Sequence, residues 1–438
     1  MLKRLGPSVV TAGEATSTAL FESKLEFNPP AHGVWNIVHV GMLVPESHQI
    51  YVCAVNCMRG VVLTAAEMGM ADRFSCVILK EADIVRGTVE QVTLEGILDV
   101  LRKLELRESL PPCVIVFPVC THHFLGVSMK RVYRELRRAY PQVDFVEAFM
   151  DPIMKRRLSP DVRLRKAMYD PFEPQPADEK LVASLGSDFS LDVDCELRTV
   201  LTSGGYRLED VQGCADYGAF KHLGAASTFI CTYPNAVYGV QKAAKRLGRR
   251  FLYLPSSFSY VEVAEQHATL REVLRLAPFD EEAEVLRCKA ALEDALAEIG
   301  DTPIAIDASA HPRPLGLARL LLEHGFRVTE VYLDGVTDEE ASALAWLRNN
   351  APGVEISSIV LPELRVASRE RTEEVLAIGQ KAAWFCGTNR FVNIVEGAGL
   401  WGYAGIRTMA HLMREAWSTP KDTRDLIPRK GLGCASCF

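Results

Sequence analysis

Apolar residues along this chain follow two rhythms. Short β-branched runs, "NIVHVG", "CVILK", "CVIVFPVC" and "DFVEAFM", are continuous enough to read as strands buried on both faces of a parallel sheet. Between them, "GTVEQVTLEGILDVLRKL" and "GVSMKRVYRELRRAY" carry apolar residues at helical spacing. This alternation predicts a first domain over residues 1–180, closed by "YDPFEPQPADEK", whose prolines and acids mark a linker. A second series, "KLVASLG", "YRLEDVQG", "STFICTY" and "RFLYLP", predicts a middle domain over 181–300. It ends with the amphipathic helix "DEEAEVLRCKAALEDALAEIG", capped at Gly300. "TPIAIDAS", "RVTEVYLD", "EISSIVL" and "AAWFCG" read as the strands of a third domain over 301–418. The polar stretch 419–438, with Pro420 and Pro428, reads as an irregular tail. The predicted fold is α/β: three consecutive doubly wound, Rossmann-like domains with mainly parallel sheets.

Composition narrows the partners. Of 438 residues, 48% are hydrophobic and 24% charged, a balance that can bury a large core without disulfide staples. The net charge of -7 and the lack of a dense basic stripe argue against nucleic acid. No apolar run approaches the roughly 18 residues that cross a bilayer, so no membrane is expected. "MLKRLGPSVVTAGEATSTALF" has no continuous apolar stretch, so no signal peptide is read and the cytoplasm is the expected compartment. In that reducing setting the twelve cysteines are core residues or metal ligands rather than disulfides.

Three of these thiols draw attention. Cys53 and Cys57 stand four apart in "YVCAVNCMRG", in a loop or at a helix start, and Cys120 ends the apolar run "CVIVFPVC". Iron–sulfur clusters are held mainly by cysteine thiolates, and in doubly wound sheets ligands bind beyond the carboxyl ends of strands. Spacing alone leaves two readings open, cluster ligands or buried apolar thiols, because free cysteine is among the most buried residues.

Other motifs exclude chemistry. There is no GxxxxGK[ST] for ATP and no GxSxG for a serine hydrolase. "GAGLWG" (Gly397, Gly399, Gly402) matches GxGxxG, yet no returning strand with an acidic residue follows. A glycine turn into the last helix is the better reading.

The stretch from "NCMRGVVLTAAEM" through "CVIVFPVCTHHFLG" resembles the N-terminal domain of the nitrogenase component 1 family. That family holds nitrogenase catalytic subunits, cofactor-assembly scaffolds, and reductases of chlorophyll and nickel-tetrapyrrole synthesis. In the resemblance Cys57 falls at the first cysteine turn, Gly87 in the turn before the helix, and Cys120 at the strand end. "STFICTYPNAVYGVQKAAKRLGRRFLYLP" resembles the family's middle domain, and "WGYAGIRTMAHLMREA" its last helix.

The resemblance implies an oxidoreductase subunit that relays electrons through an iron–sulfur cluster, of 4Fe-4S type, to a bound substrate or cofactor. It implies Cys53, Cys57 and Cys120 as metal ligands, with Cys53 standing in for an upstream cysteine that this chain lacks. It implies pairing with itself or with a homologous component 1 subunit, and electrons from a separate ATP-dependent iron–sulfur reductase. A non-catalytic scaffold for metallocofactor assembly is the alternative. Three thiols leave a four-ligand cluster one short, so a partner chain or another ligand must complete it.

Cys231 falls where the nitrogenase α subunit binds its second metallocofactor; a buried strand-end thiol is the other reading. No histidine precedes Tyr403, and His411 follows it by eight residues. A molybdenum–iron-type cofactor held in the nitrogenase manner, and dinitrogen as substrate, are therefore not expected. His122 and His123 either line the site or act as caps or solvated groups. Cys76, Cys113 and Cys288 read as core, and Cys434 and Cys437 as a tail CxxC. Asp307, His311 and Arg313 either face a cleft or satisfy a helix N-terminus.

Overall fold

The structure is a computed structural model that describes residues 8–16, 20–21, 37–107, 110–151, 158–361 and 371–423. Three sheets carry the architecture. The first has the order Phe74–Ile78, Ser47–Cys53, Cys113–Pro118, Asp144–Glu147, with every neighbour parallel. The second has the order Arg207–Asp210, Asp178–Ser184, Ala226–Cys231, Arg250–Tyr253, again all parallel. The third runs Val9–Thr11, Glu355–Ser357, Arg327–Tyr332, Pro303–Asp307, Leu376–Ile378, Phe391–Val392. It is parallel except where Val9–Thr11 pairs antiparallel with Glu355–Ser357. The α/β class with mainly parallel, Rossmann-like sheets is thus the observed fold.

The chain divides into two compact units: Trp35–Ser190 with Tyr206–Leu254, and Met1–Val34 with Leu191–Gly205 and Pro255–Phe438. The first unit holds two sheets, and one core runs beneath both, from Tyr51, Cys113 and Phe117 to Leu181, Phe229 and Val240. The other faces of Ser47–Cys53 and Cys113–Pro118 pack Ile50, Val52, Val114 and Val116 against Val89, Ile97 and Leu101 of the helix Val89–Arg107. Burial on both faces explains why these strands read as unbroken apolar runs. The second unit builds its core from the third sheet and the helices Glu281–Ile299, Pro314–Glu323 and Gly402–Ser418. Gly300 ends the first of these at φ +62°.

Four placements differ from the sequence reading. The "IVHVG" of "NIVHVG" lies on the helix Ile37–Met42, not on a strand. The strand is the next segment, Ser47–Cys53, so Cys53 ends a strand instead of opening a helix. His48 and Gln49 interrupt its apolar pattern, yet both are buried: His48 Nε2 bonds Ser75 Oγ at 2.8 Å and Gln49 donates to Val38 O at 2.9 Å. "AAWFC" belongs to the helix Gln380–Cys386; the strand is Leu376–Ile378. Short apolar runs fit a buried helix as well as a buried strand, and only the flanking turn decides. Finally, Val9–Thr11 joins the third sheet, although the domain containing it was drawn as residues 1–180.

Two predictions follow from buried polar groups. Arg165 lies fully buried and pairs with Asp188 through both terminal nitrogens at 2.6 and 2.7 Å. Arg165→Met removes the guanidinium from the buried Asp188 carboxylate and should lower stability by about 3–5 kcal/mol in equilibrium urea unfolding. Burial also pushes His48 down to about 4 and His311 down to about 3, with Arg73 and Arg313 adding to the effect. The unfolded chain, with ordinary histidines, then binds more protons below about pH 6.5. Stability should fall as pH drops from 6.5 toward 4, and a His48→Gln, His311→Gln double variant should show a shallower decline.

Candidate functional site

A parallel sheet whose crossovers reverse direction leaves a crevice at its carboxyl edge, between the two strands where the order turns. In the first sheet the chain goes from Ser47–Cys53 outward to Phe74–Ile78, then returns to Cys113–Pro118 on the other side. The switch point therefore lies between Ser47–Cys53 and Cys113–Pro118, whose register pairs Val52 with Pro118. Cys57 is the third residue of the helix Val55–Glu67 that leaves the first of these strands. Cys120 opens the short helix Cys120–Phe124 that leaves the second. The fold thus brings to one edge two thiols that are 63 residues apart in sequence (120 − 57).

The two thiols are accessible to different degrees. Cys57 is exposed, while Cys120 is half-buried with Sγ 3.9 Å from Met150 O. Cys53 differs from both. It is fully buried on the core face of its strand, two residues beyond Tyr51, whose ring stacks on Phe117 at 4.3 Å. Burial, with Cys76 and Cys57 adding, pushes its thiol up to about 12. Among the described residues, no group of three or more His, Cys, Asp or Glu is placed to hold a metal ion. Of the three predicted ligands, the structure thus puts Cys57 and Cys120 at this edge of the sheet, as donors that fit part of an iron–sulfur ligand set, and Cys53 in the core.

The other two switch points are filled by the protein's own charges. In the second sheet the crevice lies between Asp178–Ser184 and Ala226–Cys231. The Arg165 guanidinium occupies it, donating to Gly186 O at 2.8 Å, pairing with Asp188 and lying 4.6 Å from the Tyr233 ring centroid. Gly186, at φ +97°, is needed because a Cβ would collide with Ala236. Cys231 is fully buried here, and its thiol donates to Tyr233 O at 3.3 Å.

In the third sheet the crevice lies between Pro303–Asp307 and Leu376–Ile378. Asp307 fills it, fully buried, accepting from Ser309 N at 2.8 Å and Ala382 N at 2.8 Å. It caps the helix Gln380–Cys386, and burial raises its carboxyl. His311 and Arg313 are also committed. His311 accepts from Arg313 N at 3.0 Å and sits 3.0 Å from Ser256 Oγ, while Arg313 pairs with Glu262 and Glu339. "GAGLWG" forms the turn into Gly402–Ser418, with Gly397, Gly399 and Gly402 all at positive φ.

The helices that follow the strands Ser47–Cys53, Phe74–Ile78 and Cys113–Pro118 carry apolar side chains that face solvent. Val55 is 64% exposed and Leu63 48% on one helix, Val85 81% on the helix Glu81–Val85, and Phe124 65% beside Cys120. Of the two histidines after Cys120, His123 is exposed and His122 is buried. His122 Nδ1 accepts from Val119 N at 3.2 Å, so it acts as a cap. Cys113 and Cys288 are fully buried in cores, and Cys76 packs partly buried against one. Cys434 and Cys437 lie outside the described residues.

Comparison with solved structures places this architecture. The structure described as nitrogenase Cp1 at pH 6.5 matches with a TM-score of 0.67, covering 92% of this chain and 96% of that one at 13% identity. Nitrogenase Cp1 at pH 5 matches with a TM-score of 0.59, covering 94% of each chain at 11% identity. The protein therefore has a nitrogenase-like α/β fold along nearly its whole length. No family model matches the sequence, and no curated protein matches it. No helix among the described residues is long and apolar enough to cross a membrane.

The contrast between Cys53 and Cys57 is measurable. Cys53→Ser places a hydroxyl in an apolar core and should cost about 1–3 kcal/mol in urea unfolding of the metal-free protein. Cys57→Ser changes an exposed group and should stay within about 0.5 kcal/mol.

Proposed function

We propose that this protein is a nitrogenase-like electron-transfer subunit whose iron–sulfur cluster is completed across an interface with a second chain, either its own copy or a homologous subunit. The observation that carries this reading is the first-sheet switch point. It is the crevice whose two flanking strands are followed by an exposed thiol, Cys57, and a half-buried one, Cys120, whereas the corresponding crevices of the other sheets hold Arg165 and Asp307. Cys57 and Cys120 would hold the cluster, and Cys53 would shape the apolar floor beneath them. Bound there, the cluster would supply reversible one-electron storage.

The chain's own groups have three tasks in this reading. Helix Val55–Glu67 presents Cys57 from its first turn, at the carboxyl edge of the sheet. The buried Tyr51–Phe117 pair keeps the region under the crevice dry, which tunes a cluster's potential. The exposed Val55, Leu63, Val85 and Phe124 would be covered by the second chain, excluding water from the shared site. Electrons would come from a separate ATP-using iron–sulfur reductase, since the sequence has no nucleotide-binding P-loop of its own. Cys231 is left out of the ligand set in this reading, because its thiol is buried and donates to Tyr233 O. The substrate would then be neither dinitrogen nor anything that requires a molybdenum–iron cofactor at that position.

Protein isolated anaerobically from cells competent in cluster assembly should contain iron and acid-labile sulfide. Cys57→Ala and Cys120→Ala should each lose most of the iron, and Cys288→Ala should keep it. Iron-free wild-type protein, or equal loss in all three variants, would sink the reading.

A further inference from the structure

Cys120 and Cys57 differ in how firmly the chain holds them. The turn before Cys57 is closed by backbone alone: Cys57 N donates to Ala54 O at 2.9 Å, and Ala54 offers no side-chain cap. The turn that presents Cys120 is tied down from two sides. On one side, Val119 pairs with Met150 in an isolated parallel bridge, and Met150 N donates to Pro118 O at 2.9 Å. On the other stands His122, whose main-chain N donates to Val119 O at 3.0 Å while its ring takes the Val119 N–H.

The ring is in turn anchored from beyond. His122 Nε2 lies 3.0 Å from Thr93 Oγ1, and Thr93 Oγ1 lies 2.7 Å from Val89 O. Donor and acceptor roles in this chain have one solution. Val119 N–H can only donate, so Nδ1 accepts and the ring proton sits on Nε2. Nε2–H then donates to Thr93 Oγ1, and the hydroxyl proton goes to Val89 O. Thr93 is fully buried and His122 is 3% exposed, so solvent competes little for these bonds. The Cys120 turn is thereby fastened to the first two turns of the helix Val89–Arg107.

We infer that His122 is a positioning residue for Cys120: through Val119 on one side and Thr93 on the other, it holds the cysteine's backbone in place at the carboxyl end of Cys113–Pro118, beside the first-sheet crevice. This goes beyond the proposed function and rests on it for the role of Cys120 as a ligand. Supporting contacts that fix a ligand's orientation typically matter ten- to a hundredfold in metal retention. A helix cap alone would affect only the melting of the fold. Fixed orientation of one thiol beside a less restrained Cys57 gives the site one rigid ligand and one adaptable ligand.

The test has a metal-free arm and a loaded arm. In metal-free native protein, iodoacetamide labelling is followed by peptide mass spectrometry, with Cys57 as the internal control. His122→Ala should raise the Cys120 rate relative to Cys57 by about tenfold. His122→Asn, whose Oδ1 can take the place of Nδ1, should restore most of the protection. Thr93→Val, which keeps shape and loses the anchor, should fall between and serves if the alanine variant folds poorly. In the cluster-loaded protein, His122→Ala should lose iron to a chelator about tenfold faster than wild type and shift the EPR signal, with His122→Asn close to wild type. Unchanged Cys120-to-Cys57 labelling ratios and unchanged iron loss in both His122→Ala and Thr93→Val would overturn the assignment. Wild-type protein that takes up no iron would overturn the cluster reading instead, and the labelling arm would still decide whether His122 holds Cys120.

Discussion

Everything at the candidate site depends on one topological constraint: parallel strands must be joined by crossovers, and a sheet that grows in both directions must reverse at one point. At that reversal the helices on either side diverge, and their N-terminal backbone amides face a common gap. The first sheet reverses between Ser47–Cys53 and Cys113–Pro118, and the residues that follow those strands are the ones with a free choice of chemistry. The chain places a thiol after each. Nothing else about the two cysteines, neither spacing nor local composition, would bring them together.

The same constraint operates at the other two sheets with a different outcome. Arg165 reaches into the second crevice and Asp307 into the third, and each is satisfied by the loop backbone around it. A buried charge left without partners would be strongly destabilising, so these groups commit their crevices to structure. Three sheets built on one plan thus differ in the side chains that stand at each reversal. The nitrogenase-like fold shared with the solved structures supplies the plan, and the side chains at each reversal differ.

Much of this was legible in the sequence. Runs such as "CVIVFPVC" and "STFIC" located buried parallel strands, because burial on both faces removes the polar alternation that other strands show. The helices Val89–Arg107 and Glu281–Ile299 followed from the helical spacing of their apolar residues, and Gly402–Ser418 from the resemblance of "WGYAGIRTMAHLMREA" to a known last helix. The failures were local and physical. "NIVHVG" and "AAWFC" are short apolar runs whose helical state is decided by neighbouring turns. The strand Ser47–Cys53 was hidden because His48 and Gln49 are buried polar residues satisfied by Ser75 and Val38, partners far away in sequence. That miss also misplaced Cys53, which pairs within a strand and points into the core. Arg165 was passed over for the same reason: in "DVRLRKA" it reads as one arginine among several on a helix, and only Asp188 and Gly186 reveal its burial. His122 was recognised as a possible cap, but Thr93, the partner that makes it more than a cap, lies 29 residues upstream (122 − 93).

Native mass spectrometry under anaerobic conditions tests the central claim most directly, because it reads chain number and cluster mass on the same particle. A site of which each chain supplies only part predicts that the cluster mass travels with a pair of chains, and that Cys57→Ala with Cys120→Ala gives particles without it. A monomer carrying an intact cluster, or a pair that keeps the full cluster mass after both thiols are removed, would contradict the account.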